Sequence, residues 1–220
     1  MKIHVNNVDL FYTKTGSGQP FILTHGNGEN HEIFDRIIDV LSAKFCVYAI
    51  DTRGHGNSSK INTYNYQDIA SDFVEFIKKL ELIQPVFYGF SDGGIAGIII
   101  ASKHPYLLDK LIISGANTTP KGLKNKWMFL FRIIYFFTRS KKIKMMTTQP
   151  NISDCELQKI KTPTLVLAGQ KDMIKKIHTL NIAAQIQNSK LKIIKGENHG
   201  SYVVHSDKLF ELIKDFVDYD

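Results

Sequence analysis

Apolar residues fall first at every second position, then in short unbroken runs, and between those runs at three- and four-residue intervals. Residues 2–6 and 8–14 alternate apolar and polar on either side of Asn6-Asn7, a pair suited to a tight turn, and predict a hairpin. Further strands are expected at PFILT (20–24), FCVYAI (45–50), PVFYGF (85–90), KLIIS (110–114), TLVLAG (164–169) and LKIIKG (191–196). Most of these runs are continuously apolar, as parallel strands covered on both faces must be. Helices are expected near 31–43, 66–81, 93–104, 173–187 and 206–218. Ala70, Phe73, Val74, Ile77 and Leu80 show the spacing of a helix with one buried face. Strand–helix alternation predicts an α/β fold: a mostly parallel sheet behind an N-terminal hairpin, helices on both faces, in one domain over residues 1–220.

One stretch breaks this rhythm. About fifty residues separate the strand ending near Ser114 from the one starting at Thr164, too many for a plain connection. They predict a short helical cap insertion, about 118–160, over the carboxyl edge of the sheet, where sites form in open parallel sheets. The insertion holds the aromatic run Trp127 to Phe137 and the basic cluster Arg139, Lys141, Lys142 and Lys144. The aromatic run has three readings: packing against the sheet, which is the default, an apolar acyl or alcohol pocket, or peripheral contact with a membrane. Interrupted by Arg132, it is too short to span a bilayer, so no stable membrane insertion is expected.

The N-terminus lacks the hydrophobic region of a secretory signal, and the expected location is the cytoplasm. Hydrophobic residues make up 43% and charged residues 22%, an ordinary globular balance. The net charge of +7 raises the question of nucleic acid. No helix-turn-helix, RNP or zinc-finger pattern accompanies it, and a basic enzyme without a nucleic-acid partner is expected. Cys46 and Cys155 stand far apart and read as core or inert thiols. No spacing implies a metal, a nucleotide or another cofactor.

The candidate chemistry begins at Gly89-Phe90-Ser91-Asp92-Gly93. This G-x-S-x-G follows a predicted strand and precedes a predicted helix, the setting in which a sharp turn lifts a serine hydroxyl out of the sheet. A serine hydroxyl needs a base to become a nucleophile. Of the eight histidines, His199 follows the last strand in the loop GENHG and is the candidate base. The third member orients the imidazole and stabilises its cation. Asp172 follows TLVLAG at the same sheet edge and takes that role. The order Ser91, Asp172, His199 is nucleophile, acid, base. Two backbone N–H groups, of Asp92 and of Asn27 in the loop HGNG after the first parallel strand, are the expected oxyanion donors.

These residues resemble the α/β-hydrolase family across nearly the whole chain. The likeness lies in HGNGEN (25–30), DTRGHGNSS (51–59), GFSDGG (89–94), PTLVLAGQKDMI (163–174) and NHGSY (198–202). It implies the α/β-hydrolase fold, and it implies that Asp51, Arg53 and His55 belong to a structural loop rather than to the catalytic set. The run from Gly89 to Asn117 is similar to valacyclovirase-like (biphenyl hydrolase-like) serine hydrolases. In that subgroup the aspartate after the nucleophile receives a substrate α-amino group, which makes Asp92 a candidate substrate-binding residue. The alternative is that the Asp92 carboxylate turns to local backbone, as aspartates near helix starts do.

The expected function is therefore hydrolysis of small carboxylic esters through a Ser-His-Asp acyl-enzyme, with α-amino-acid esters as the subgroup substrate. Its rivals are a thioesterase, a proline iminopeptidase-like enzyme, a carbon–carbon bond hydrolase, and a non-catalytic small-molecule receptor on the same fold. The triad is common to the enzymes and does not choose among them.

Overall fold

In the computed structural model, which describes residues 1–219, Asn6 and Asn7 take φ of 42° and 64°. These angles fold β1 (Lys2–Val5) back onto β2 (Val8–Thr15) as an antiparallel hairpin. The apolar runs become β3 (Gln19–Thr24), β4 (Phe45–Ile50), β5 (Val86–Phe90), β6 (Lys110–Ser114), β7 (Thr164–Gly169) and β8 (Ser189–Ile194). They form one eight-stranded sheet in the order β1-β2-β4-β3-β5-β6-β7-β8. β2 runs against β4, and from β4 to β8 every neighbouring pair is parallel. β8 begins and ends two residues earlier than the run 191–196 suggests, because Lys195 and Gly196 already turn, Gly196 with φ of 80°.

The helices are α1 (Asp35–Ser42), entered through a 3₁₀ turn at His31–Phe34, then α2 (Tyr66–Lys79) and α3 (Asp92–Lys103). After them come α4 (Asn125–Thr138), α5 (Lys141–Thr148), α6 (Asp154–Leu157), α7 (Lys176–Gln185) and α8 (Lys208–Ile213). The terminal helix expected over 206–218 is a correction: α8 is only six residues long, and turns follow it from Lys214. There Ile213 O is shared by the Phe216 N–H at 2.9 Å and the Val217 N–H at 3.1 Å, a bifurcated closure common at helix ends.

Successive strand residues point to opposite faces, and the core divides accordingly. Phe21, Leu23 and Tyr88 pack under α1 and α8 with Ile37, Leu41, Leu209 and Ile213. Ile22, Phe87 and Ile113 pack under α2, α3 and α7 with Phe73, Ile98 and Ile182. The segment between β6 and β7 carries α4, α5 and α6. Met145, Ile152 and Leu157 join the second layer, whereas Leu123, Phe131 and Ile174 make a small cluster of their own. Phe129, Leu130, Ile133, Phe136 and Phe137 on α4 are exposed, so packing accounts for one side of that helix only. Among the described residues, no helix is long and apolar enough to cross a membrane. Cys46 is buried in β4, Cys155 is exposed, and neither forms a disulfide.

The loop after β4 is held by buried polar contacts. Arg53 Nε and Nη2 donate to Asp72 Oδ2 and Oδ1 on α2 at 2.6 and 2.5 Å. Their side chains are only 10% and 2% exposed, so Asp72 without Arg53 would keep only the Asn6 amide, at 3.1 Å, to answer its buried charge. Thr52 N–H donates to His25 Nε2 at 3.0 Å, and His25 Nδ1 lies 2.7 Å from Gly26 O. His25 is therefore the neutral Nδ1–H tautomer, since a proton on Nε2 would face the Thr52 N–H. Burial lowers its pKa from 6.5 to about 4, and lowers that of His55 beside it to about 3.

Two outcomes are expected. Arg53→Met is predicted to lower unfolding free energy by about 3–5 kcal/mol in urea, by stranding Asp72; a loss below about 1 kcal/mol would contradict the account of this pair. The buried imidazoles set an acid limit. The unfolded chain takes up their protons near pH 6.5, the folded one only near 4 and 3, so stability falls as pH drops through that window. The slope reaches about 1.4 kcal/mol per pH unit per imidazole. Thermal unfolding followed between pH 7 and 5 should show it, and His55→Gln should make it shallower.

Candidate active site

β3 and β5 are neighbours, but the chain leaves β3 for β4 on one side and β5 for β6 on the other. Their carboxyl ends therefore part and leave a crevice at this switch point. The loop His25–Gly28 rims one side of it and Ser91 the other. Ser91 adopts φ 51° and ψ −110°, left-handed backbone that lifts its side chain off the end of β5. The turn fits only because α3 can start close against β3. A Cβ on Gly93 would lie 2.6 Å from the Thr24 carbonyl oxygen. Ser91 N–H bonds to Ser114 O at 2.7 Å and Gly93 N–H to His25 O at 3.2 Å, tying the turn to both neighbouring strands.

Asp172 sits in the loop after β7 with its side chain 3% exposed. Its Oδ1 accepts the Ile174 N–H at 2.9 Å and lies 2.7 Å from His199 Nδ1. His199, after β8, places Nε2 3.1 Å from Ser91 Oγ. A carboxylate only accepts, so Nδ1 carries the proton and Nε2 is left to accept from the serine hydroxyl. The imidazole lies over Gly115, whose φ is 64° and where a Cβ would come within 2.7 Å of His199 Cε1. Phe90 packs on it with ring centroids 5.0 Å apart. Its own loop is closed by Asn198 Oδ1, which accepts from Gly200 N–H at 3.1 Å and Ser201 N–H at 3.0 Å. Three loops at one sheet edge thus bring Ser91, His199 and Asp172 into a single line of hydrogen bonds.

The other expected residues, Asn27 and Asp92, meet across the crevice. Their backbone N–H groups have no protein acceptor among the described residues. The Asp92 carboxylate is buried: Oδ1 accepts from the Tyr66 hydroxyl at 2.7 Å and Oδ2 from Asn27 Nδ2 at 2.9 Å. It binds side chains of α2 and the β3 loop, and not the backbone near its own helix start. Burial pushes its carboxyl pKa up, only partly opposed by these two donors. Lys142 on α5 is half-buried and its charge favours the ionised Asp92, while burial lowers the lysine's own pKa. Glu29 Oε2 accepts the Gly26 N–H at 2.9 Å, and burial pushes this carboxyl up as well.

Ser91 and His199 open into a cavity of about 240 Å³. Asn27 and Glu29 give it a polar side, and Phe131, Ile143, Met146 and Met173 an apolar wall. Phe131 and Met146 come from the β6–β7 segment, which therefore roofs the serine. The Asp92 side chain lies behind the polar wall rather than in it. Tyr66 and the methionines went unread in the sequence, where nothing in their local pattern separates them from ordinary core residues. Glu29 was visible in HGNGEN but carried no distinguishing spacing. No group of three His, Cys, Asp or Glu side chains converges as a metal site among the described residues.

The family model described as alpha/beta hydrolase fold matches residues 19–140. Human "Serine hydrolase BPHL" is 27% identical over 98% of this chain and 85% of its own length. A "Putative non-heme chloroperoxidase" of Synechocystis sp. is 25% identical over 96% of this chain and 95% of its own. A thermophilic esterase from Thermogutta terrifontis superposes with TM-score 0.82 at 21% identity, covering 99% of this chain and 97% of that one. A meta-cleavage product hydrolase from Pseudomonas fluorescens IP01 has the same TM-score, 0.82, and the same coverage, 99% and 97%, at 18% identity. With its parallel sheet, its switch-point crevice and a match over more than half its length, the chain belongs to the alpha/beta hydrolase fold family and is a hydrolase.

Proposed function

We propose that the protein hydrolyses small carboxylic esters through an acyl-enzyme, with the β6–β7 segment as its cap. The observation that carries this is the Ser91–His199–Asp172 line, at 3.1 and 2.7 Å, opening into a small and largely apolar cavity. His199 Nε2 takes the Ser91 proton as Oγ attacks the ester carbonyl carbon, and Asp172 stabilises the imidazolium that forms. The tetrahedral oxygen receives the Asn27 and Asp92 amides, each worth on the order of 3 kcal/mol in such sites. His199 then protonates the departing alkoxide, and the acyl group stays on Ser91. Water, deprotonated by the same imidazole, attacks the acyl carbon; the bond to Ser91 Oγ breaks, His199 returns the proton to that oxygen, and the acid leaves. The cavity volume, about 240 Å³, favours short acyl and alcohol groups.

A second reading concerns the substrate, and the position of the Asp92 carboxyl next to Ser91 in the chain favours it. A carboxylate beside the scissile carbonyl opposes the developing oxyanion unless a cation answers it. A substrate α-ammonium would do so by displacing the Asn27 side chain, which separates Asp92 Oδ2 from the cavity. Lys142 competes for the same charge, so the amine must gain more from Asp92 than the lysine already supplies.

The test compares two matched esters, one with a free α-amino group and one with that amine acetylated, by kcat/KM. Ser91→Ala is expected to lower kcat by about 10⁴-fold or more with unfolding unchanged; full activity in that variant would overturn the mechanism. A preference of about ten-fold or more for the free amine, lost in Asp92→Asn, is the result expected for amino-acid esters. Equal rates would remove Asp92 from recognition and leave a general esterase. Hydrolysis of neither ester would overturn the ester reading and direct the search to thioesters or carbon–carbon substrates.

A further inference from the structure

α4 is apolar on both sides. Its inner side carries Phe131 and Ile134, packed with Leu123, Ile143 and Met146, and Phe131 lines the Ser91 cavity. Its outer side presents Phe129, Ile133 and Phe136 at i, i+4 and i+7, with Leu130 and Phe137 beside them. All five are exposed, Phe129 by 68% and Phe137 by 78%. A helix apolar all round is ordinarily buried, and a contiguous apolar face left in water marks a contact surface.

The charge of the segment that carries this face is of one sign. Between Thr118 and Ser153 the chain has eight Lys and Arg and no Asp or Glu. The rest of the sequence is nearly balanced, with 20 basic against 21 acidic residues, so the +7 excess resides in this segment. Some of the cations are seated on the aromatic rings. Arg139 lies 5.5 Å from the Phe136 ring centroid, and Lys126 lies 5.9 Å from that of Trp127. A groove of about 430 Å³ runs beside α4 with Leu123, Met128 and Phe129 as apolar lining and Lys121, Arg132 and Lys175 as its charges.

We propose that the outer face of α4 docks peripherally on an anionic lipid bilayer surface, its phenylalanines entering the acyl boundary while the surrounding cations meet the headgroups. The charge selects this occupant. A second copy would set cations against cations, whereas an anionic surface neutralises them. α4 has 14 residues, too few to span but enough to lie in the plane of the interface. Docking in this way places the roof of the Ser91 cavity against the bilayer, and it does not depend on which ester the enzyme cleaves.

The test is co-sedimentation of the full chain with vesicles of phosphatidylcholine alone and with a one-third share of phosphatidylglycerol. The expected result is partition at least about ten-fold stronger onto the anionic vesicles, weakening as salt is raised. Phe136→Ser with Phe137→Ser, both at exposed positions, should lower that partition about ten-fold and leave the unfolding midpoint unchanged. Lys141→Gln with Lys144→Gln should lower it as well. Absence of binding to either vesicle, or undiminished binding by the phenylalanine variant, would overturn the proposal. So would a wild-type dimer in sedimentation velocity that the phenylalanine variant dissociates, since the face would then belong to a second copy.

Discussion

The backbone of Ser91 is held at φ 51°, a conformation that costs about 1–3 kcal/mol and persists only where its surroundings determine it from several sides. Here the ties come from three directions. Ser114 on β6 accepts its N–H, the Gly93 amide reaches across to His25 at the end of β3, and α3 is buried along its length from Asp92 to Ser102. Because the chain turns so sharply, the Ser91 hydroxyl leaves the sheet. The same turn brings α3 close enough to β3 for the Asn27 side chain to reach that of Asp92. The remainder of the site is built around that turn.

Three carboxyl groups lie within this small region, and each is answered differently. Asp172 has the Ile174 amide and the His199 imidazole; Glu29 has the Gly26 amide; Asp92 has Tyr66 and Asn27. The Asn27–Asp92 bond links the side chains of the two residues whose amides are proposed as the oxyanion donors. Donors fixed in advance need no reorganisation when charge develops, which is the condition under which such groups act most strongly. Burial of Asp92 opposes its ionisation, and the nearby Lys142 partly offsets that penalty.

Local pattern made the sheet legible. Continuous apolar runs marked β4, β6 and β7 to the residue, because strands covered on both faces carry the signal in every position. β8 lies at the sheet edge with half-exposed residues, and its polar start, Ser189-Lys190, hid two residues of strand from a reading based on apolarity. Ser91, Asp172 and His199 could be chosen because each follows a recognisable strand. Tyr66 could not, since its partner Asp92 is 26 positions away and no periodicity records that contact. Nor did the sequence distinguish the two sides of α4. A helix apolar at almost every position has no preferred face, and only the position of α5 and the Leu123–Ile174 cluster decides which side is covered.

The chain leaves the sheet after Ser114 and returns to it at Thr164 between two adjacent, hydrogen-bonded strands. None of Ser91, Asp172 and His199 lies on this excursion, although Phe131, Ile143 and Met146 from it wall their cavity. The excursion therefore shapes the space around the three residues and supplies none of them. Its contribution to the cavity is a wall, whereas Ser91, Asp172 and His199 are carried by the loops that follow β5, β7 and β8. Diversity of substrates within such a scaffold then requires no change in its chemistry.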